Sequence, residues 1–138
     1  VDHFKKFNDT HGHDVGDQVL RMVAGRIRQV SDGGKAYRYG GEEFTIVFPG
    51  KAAAEVTEAL DAVRGAVEGA RFTVRSGDRR RGRRGKKHGT RQVTVTISIG
   101  VADPESLKQR ADPWSVLKAA DKALYQAKKK GRNRVCAA

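Results

Sequence analysis

Cysteine and long apolar runs are almost absent from this chain. The one cysteine, Cys136, cannot form an internal disulfide, which favours a reducing compartment such as the cytoplasm. No apolar run approaches the length of about 18 residues that a membrane-spanning helix requires. The 138 residues, 38% apolar and 32% charged, are typical of one ordinary globular domain that can bury a core. We therefore predict a single domain over residues 1–138.

Acidic residues are also scarce beside basic ones, and the net charge is +12. Most of this excess is local, because residues 75–91 hold nine Lys or Arg against Asp78 and leave only +4 for the rest of the chain. The segment 76–90 has no apolar residue to bury and predicts a flexible hairpin loop. It also lacks the interleaved aromatic residues on which nucleic-acid bases stack. We therefore expect no specific nucleic-acid partner.

Apolar residues at helical spacing predict three helices. Asp14 is the expected N-cap of a helix that runs to about Val30, and an alanine-rich helix follows over residues 51–68. The expected buried faces are Val15, Val19, Leu20, Val23, Ile27 and Val30 on the first helix and Val56, Ala59, Leu60, Val63 and Val67 on the second. Asp112 and Pro113 begin the last helix, which Gly131 ends. Its expected buried stripe consists of Trp114, Leu117, Ala120, Ala123, Leu124 and Ala127.

Strands alternate with these helices. Residues 35–39 and 44–48 predict one hairpin, while residues 71–75 and the strictly alternating stretch 92–102 predict another. Residues 1–9 are interpreted as a partial strand, followed by a polar turn over residues 10–14. Helices interleaved with hairpins favour an α+β fold with helices on an antiparallel-rich sheet.

The turn of the first hairpin is the strongest candidate for a functional site. Gly40 and Gly41 lie where a hairpin reverses and positive φ is needed. Glu42 and Glu43 follow, and neighbours on a pleated strand point to opposite faces, so only one of them can face a given site. A turn without side chains beside a carboxylate suits a phosphate and its metal. Taken alone, these residues fit an ordinary hairpin with solvated glutamates equally well.

Five separated blocks remove this ambiguity. They are residues 1–5 with Asn8 and Asp9, residues 12–13 with 16–17, residues 38–44, residues 95–101, and residues 120–125 with Lys128 and residues 131–133. Together these blocks resemble the GGDEF family of diguanylate cyclases in its Gly-Gly-Glu-Glu-Phe variant. The resemblance implies a palm-like α+β fold of the ferredoxin or nucleotidyl-cyclase kind, with helices flanking a mostly antiparallel sheet. We expect its first strand to be largely missing here.

The resemblance also implies an activity. Members of this family condense two GTP molecules into cyclic di-GMP, a bacterial second messenger, and release two pyrophosphates with the help of Mg²⁺ or Mn²⁺. Each subunit holds one GTP, which implies a homodimer, and regulatory domains are expected upstream in a parent protein that could be membrane-tethered. The alternative is a non-catalytic module that binds GTP or cyclic di-GMP and signals through contacts.

Several site residues follow from the same resemblance. Glu42 corresponds to a metal ligand that also helps to deprotonate the attacking 3′-hydroxyl, Val1 to a main-chain carbonyl ligand, and Glu43 to an additional or indirect metal contact. The residues implied in substrate binding are Asn8 and Asp17 for guanine, Phe4 and Lys5 for the phosphates through their backbone, Gly40 and Gly41 for close approach of the nucleotide, and Lys128 and Arg132 for the terminal phosphates.

Two departures from the family pattern change what is expected of the chain. The family has a metal-binding aspartate directly before the position of Val1, and this chain begins after it, so we expect little activity from the chain alone. The family's inhibitory Arg-x-x-Asp site corresponds here to Ser31 and Gly34. This argues against product inhibition through that site.

Overall fold

The computed structural model describes residues 1–75, 90–107 and 111–138. The predicted basic loop, residues 76–90, lies outside this part except for Thr90. Helices and strands alternate as an α+β fold requires. In order they are α1 Phe4–His11, α2 His13–Ile27, β1 Lys35–Gly40, β2 Glu43–Val47, α3 Ala53–Glu68, β3 Phe72–Arg75, β4 Thr90–Val93, β5 Ile99–Val101, a 3₁₀ turn Pro104–Ser106, α4 Pro113–Lys129 and β6 Val135–Ala137.

The strands of the described residues form three pairs. β1 and β2 are antiparallel, as are β3 and β4, whereas β5 pairs in parallel with β6. The predicted continuous strand over residues 92–102 is wrong, because β4 and β5 are separated by residues 94–98. The alternation itself is correct, since Val93, Val95 and Ile97 are all buried. Within the gap, the Thr96 carbonyl accepts a hydrogen bond of 2.9 Å from the Asp2 N–H.

The amino-terminal segment differs most from the prediction. Residues 4–11 form α1 where a partial strand and a turn were expected. The rings of Phe4 and Phe7 stack at 6.2 Å, and Phe7 also contacts His11 at 4.4 Å, so one aromatic face stabilises a helix too short to show a clear period. Asp14 is not an N-cap, because α2 begins at His13 after Gly12; Asp14 lies in the first turn, where its charge still favours the helix dipole.

The main core lies between α2, α3 and the strands. The predicted apolar faces of both helices are confirmed except at Val30, which lies beyond the end of α2 at Ile27 and is only half-buried. Val19, Val23 and Val67 are completely buried. The cluster consists of Val15, Val19, Val23, Ile27, Val63, Val67, Ala70, Phe72, Val74, Val93, Val95 and Ile97.

Helix α4 packs closely on β5. Asp112 caps it as predicted, because its carboxylate accepts the N–H groups of Trp114 at 2.9 Å and Ser115 at 3.0 Å. The predicted stripe is partly wrong, since Trp114 is 74% exposed and the buried residues are Ala119, Ala123 and Ala127. Small residues are needed here because a Cβ at Gly100 would collide with the α4 backbone at Ala120 and Leu124. No helix in the described ranges is both long and apolar enough to cross a membrane.

Candidate active site

The β1–β2 turn differs from the predicted two-glycine loop. Gly40 pairs with Glu43, so the loop consists of Gly41 and Glu42. Gly41 has a φ of 49°, whereas Gly40 does not adopt a positive φ. Glu42 is therefore a half-buried turn residue rather than a residue of a pleated strand, and the exposed Glu43 begins β2. Of the two glutamates, Glu42 is therefore the more buried residue.

Arg38 fixes the shape of this turn. Its guanidinium donates two hydrogen bonds to the Gly41 carbonyl, from Nη2 at 2.8 Å and from Nε at 3.2 Å. The strand register shifts between Arg38 and Gly40, directly before the turn. Arg38 belongs to the recognised motif, but the sequence alone did not indicate that it fastens the loop that carries Glu42.

Val1 lies directly beside the turn. Its main-chain nitrogen donates a hydrogen bond of 3.1 Å to the Glu42 carbonyl oxygen. The structure therefore places Val1 directly against the turn that carries Glu42, two of the residues that the sequence predicted for one site.

Asp2 is a residue of this region that sequence reasoning missed. It is only 6% exposed and is the one buried charged side chain of the described residues. Its carboxylate accepts hydrogen bonds from Ser98 Oγ at 2.7 Å, Thr96 Oγ1 at 2.8 Å and the Asn133 N–H at 3.1 Å. Burial alone would raise the pKa of Asp2, but these bonds outweigh it and hold its pKa below the ordinary value. The one feature of the sequence that could have indicated this site is the alternation of hydroxyl side chains along residues 94–98, which supplies donors for a buried carboxylate.

The start of α1 offers main-chain donors. Phe4 and Lys5 are its first residues, and the first bond into the helix runs from the Phe7 N–H to the His3 carbonyl at 2.9 Å. His3 precedes the helix with a φ of 54° and provides no side-chain cap. The N–H groups of a first helical turn have no intrahelical acceptor and suit an anion. The buried Phe4 ring anchors this turn, while Lys5 is exposed.

Asn8 and Asp17 are held on adjacent helices. Asn8 Oδ1 is buried, and no donor among the described residues reaches it. The Asn8 side chain lies directly against Gly16, where a Cβ would overlap it, and Gly16 immediately precedes Asp17. Asp17 is exposed and lines a cleft of 170 Å³ with Arg21, Arg38 and Phe44. The structure therefore brings the two predicted guanine-binding residues to neighbouring positions, although they do not line the same cleft.

The carboxyl end of α4 carries the predicted phosphate-binding cations. The predicted helix stop at Gly131 is confirmed, since this residue has a φ of 108° and the Arg132 N–H bonds to the Ala127 carbonyl at 2.9 Å. Lys128 in the last turn and Arg132 after it are both half-buried. The turn that follows this end of α4 lies beside the amino-terminal segment, because the Asn133 N–H donates a hydrogen bond of 3.1 Å to the Asp2 carboxylate.

The donor atoms around the turn fit a hard divalent cation. Glu42 and Glu43 are the predicted carboxylate ligands and Val1 the predicted main-chain carbonyl ligand, and oxygen is the ligand that Mg²⁺ prefers. Mg²⁺ commonly uses one or two carboxylates and completes its shell with water and substrate phosphates. In residues 1–75, 90–107 and 111–138, no three His, Cys, Asp or Glu side chains form a metal-binding group. The predicted ligands are thus of the kind that hold a metal together with a nucleotide.

The position of the family's inhibitory pair is closed by packing. A Cβ at Gly34 would lie 2.6 Å from the Phe48 ring and 2.7 Å from Val30 Cγ1, so an aspartate does not fit without displacing core side chains. Ser31 is exposed and donates a hydrogen bond of 3.0 Å to Asp32. Both replacements of the family's pair are therefore compatible with the fold observed.

Comparison with known proteins identifies the family. The sequence matches the family described as "Diguanylate cyclase, GGDEF domain" over residues 1–134. Response regulator PleD of Caulobacter vibrioides is 41% identical over 139 aligned residues, which cover 98% of this chain and 27% of PleD. Diguanylate cyclase VdcA of Vibrio cholerae is 39% identical over 98% of this chain and 36% of its own length. This chain therefore spans only a part of the length of these relatives.

Solved structures agree with this match. The coiled coil and GGDEF domain of DgcB from Caulobacter crescentus, in complex with c-di-GMP, superposes with a TM-score of 0.78 at 38% identity, covering 99% of this chain and 65% of that one. The active GGEEF domain of a diguanylate cyclase from Vibrio cholerae gives a TM-score of 0.68 at 27% identity, covering 99% and 76%. The architecture is thus the predicted palm-like α+β domain. The chain belongs to the GGDEF family of diguanylate cyclases.

Proposed function

We propose that this domain condenses two GTP molecules into cyclic di-GMP and releases two pyrophosphates. The observation that carries the proposal is the main-chain hydrogen bond of 3.1 Å between Val1 and the half-buried Glu42, next to which Asp2 binds the turn that carries Arg132. The names of relatives such as VdcA, and the c-di-GMP bound to the DgcB domain, support the same chemistry.

The reaction joins two nucleotides by two equivalent transfers. In each, the 3′-oxygen of one GTP bonds to the α-phosphorus of the other, the bond to the β-phosphate breaks, and pyrophosphate leaves. Glu42 would help to accept the proton of the 3′-hydroxyl. Lys128 and Arg132 stabilise the negative charge that develops on the leaving pyrophosphate. The first N–H groups of α1, at Phe4 and Lys5, hold the phosphates in place.

The metal ion and the guanine base of GTP are assigned to separate parts of the site. A Mg²⁺ or Mn²⁺ ion, held by Glu42 and the Val1 carbonyl with Glu43 as a further contact, would neutralise triphosphate charge and acidify the hydroxyl. Asn8 and Asp17 bind the guanine, and their position on adjacent helices, with the Asn8 side chain against Gly16 directly before Asp17, supports this assignment. Gly40 and Gly41 leave open space beside the turn for the nucleotide.

Two copies of the domain are needed for this reaction. Each copy holds one GTP, so we assign the activity to a homodimer, controlled by regulatory domains upstream in a longer protein. This assignment predicts that specific activity rises with protein concentration until the dimer is saturated. We place the reaction in the cytoplasm, in agreement with the single cysteine of the chain.

A non-catalytic binding module is the second candidate. The c-di-GMP bound to the similar DgcB domain is the observation that favours it. Calorimetry with GTP and with cyclic di-GMP, together with chromatographic detection of product in the presence of Mg²⁺ or Mn²⁺, separates the two functions when it is done on the longer protein that carries this domain. Product formation supports the cyclase. Binding of nucleotide without product, under both metals and at concentrations where the protein is dimeric, would establish the binding module instead.

A further inference from the structure

The turn after α4 has an unusual backbone. Gly131, Arg132 and Asn133 have φ values of 108°, 64° and 47°, so three consecutive residues lie in the left-handed region. Glycine adopts this region freely and asparagine tolerates it, but an arginine there is strained. Strained residues persist only where their surroundings hold them in place. Contacts from elsewhere in the fold must therefore fix the turn that presents Arg132.

Asn133 provides these contacts at three points. Its N–H donates to the Asp2 carboxylate at 3.1 Å, its Nδ2 donates to Glu68 Oε1 at 2.7 Å, and its Oδ1 accepts from Arg64 Nη1 at 3.0 Å. Both polar ends of the side-chain amide are thus engaged by α3. The residue directly after Arg132 is held in position and in orientation.

Arg64 is itself held rigidly. Its guanidinium also donates to Glu68 Oε2 at 2.7 Å and to the Asp61 carboxylate, and its side chain is only 17% exposed. A guanidinium that is already held by other partners loses little side-chain conformational entropy when it binds a further acceptor. Arg64 and Glu68 therefore form a preorganised pair of hydrogen-bond partners for the Asn133 amide, although they lie far from Arg132 in sequence.

We propose that Arg64 and Glu68, acting through Asn133, are positioning residues that hold Arg132 ready for the terminal phosphates of GTP. The inference rests on the proposed function, which assigns Arg132 to those phosphates. Neither α3 residue touches the nucleotide. The network acts by keeping the strained turn in one conformation, so that binding of the triphosphate does not have to order it.

A purely structural connection between α3 and the chain end would behave differently. It would lower the stability of the fold and leave the affinity of the folded protein for nucleotides unchanged. A positioning network changes the affinity for GTP but not for GMP, which lacks the terminal phosphates. The network also affects the affinity for GTP only while Arg132 is present, because it acts by positioning the Arg132 guanidinium.

The test uses Asn133→Gly as its main variant. Glycine accepts the positive φ and keeps the N–H to Asp2, so the change removes only the contacts to α3. Arg64→Lys is the second variant, because an ammonium cannot replace the planar fork. Lys51→Ala is the matched control, since it breaks an exposed ion pair with Glu55 of 3.9 Å at the other end of the same helix. Circular dichroism confirms that each variant is folded.

Calorimetry measures binding of a non-hydrolysable GTP analogue and of GMP, with Mg²⁺, to the full chain. We expect Arg132→Ala to weaken binding of the analogue by about tenfold or more. Asn133→Gly and Arg64→Lys should each weaken it by about threefold to tenfold, with GMP affinity unchanged. In the Arg132→Ala background, Asn133→Gly should have no further effect. Lys51→Ala should bind both ligands like the unchanged chain.

Three outcomes would overturn this inference alone. They are unchanged analogue affinity in Asn133→Gly and Arg64→Lys, an equal loss for GMP, or a full additional loss in the Arg132→Ala background. If the unchanged chain did not bind the analogue, or if Arg132→Ala had no effect, the proposed function would fail and this inference with it.

Discussion

The buried carboxylate of Asp2 leads to a quantitative prediction. Asp2→Asn keeps the shape of the side chain and removes its charge, and the hydroxyls of Thr96 and Ser98 can still turn to pair with an amide. Hydrogen bonds to a charged group are stronger than neutral ones by about 1 kcal/mol each. Three such bonds are affected, and relief of the buried charge offsets part of the loss. We expect a net destabilisation of about 2 kcal/mol.

The direction of the pKa shift of Asp2 determines how its contribution to stability changes with pH. The pKa of Asp2 in the folded chain is below its ordinary value of 3.8. The stabilisation is therefore complete above 3.8 and is lost as the pH falls through the lower, folded value. The difference in unfolding free energy between the unchanged chain and Asp2→Asn should be about 2 kcal/mol near neutral pH and should shrink in acid below 3.8.

Urea unfolding without metal or nucleotide, followed by circular dichroism from neutral to acidic pH, makes this measurement. Asp9→Asn is the control, because Asp9 is an exposed aspartate on the neighbouring helix and should change stability by less than about 0.5 kcal/mol. The reasoning would be refuted if Asp2→Asn behaved like this control. It would also be refuted if a large difference stayed constant through the acid range.

Two further predictions concern packing and regulation. Gly100→Ala should destabilise the fold by about 3 kcal/mol because its Cβ meets the α4 backbone. Gly25→Ala, in open space on α2, should be neutral or slightly stabilising. Thermal unfolding compares the two variants, and equal effects would contradict the close packing of α4. Cyclic di-GMP should inhibit only in competition with GTP, because Ser31 and the crowded Gly34 cannot form the family's inhibitory site; steady-state kinetics that showed non-competitive inhibition would contradict this.

The sequence predicted the helices well wherever the apolar period was long. Val19, Val23 and Val67 were placed on buried faces, and Asp112 was correctly identified as a cap, because these features depend on local spacing and chemistry. The helix α1 was missed because its eight residues are too few for a reliable period. The break in the strand over residues 92–102 was missed because alternation reveals which face is buried, but not which strand lies beside it.

The candidate site was predicted through the family resemblance rather than through geometry. Val1 and Glu42, which are distant in sequence, lie together in the fold as that resemblance implied, and Asp2 next to Val1 contacts the turn that carries Arg132, although the roles of these residues remain predictions. Asp2 and Asn133 were overlooked because their partners are far away in sequence. A buried carboxylate that links two loops has no local signature, since only the folded chain brings its donors together.

The most direct test of the proposed function is product formation by a variant at Glu42. The protein that carries this domain is incubated with GTP and Mg²⁺ or Mn²⁺, and cyclic di-GMP is measured by chromatography for the unchanged protein, for Glu42→Gln and for Glu58→Gln, an exposed glutamate on α3. We expect the unchanged protein and Glu58→Gln to form product at similar rates and Glu42→Gln to be slower by about 100-fold or more. Product formation by Glu42→Gln at the rate of the unchanged protein would contradict the account.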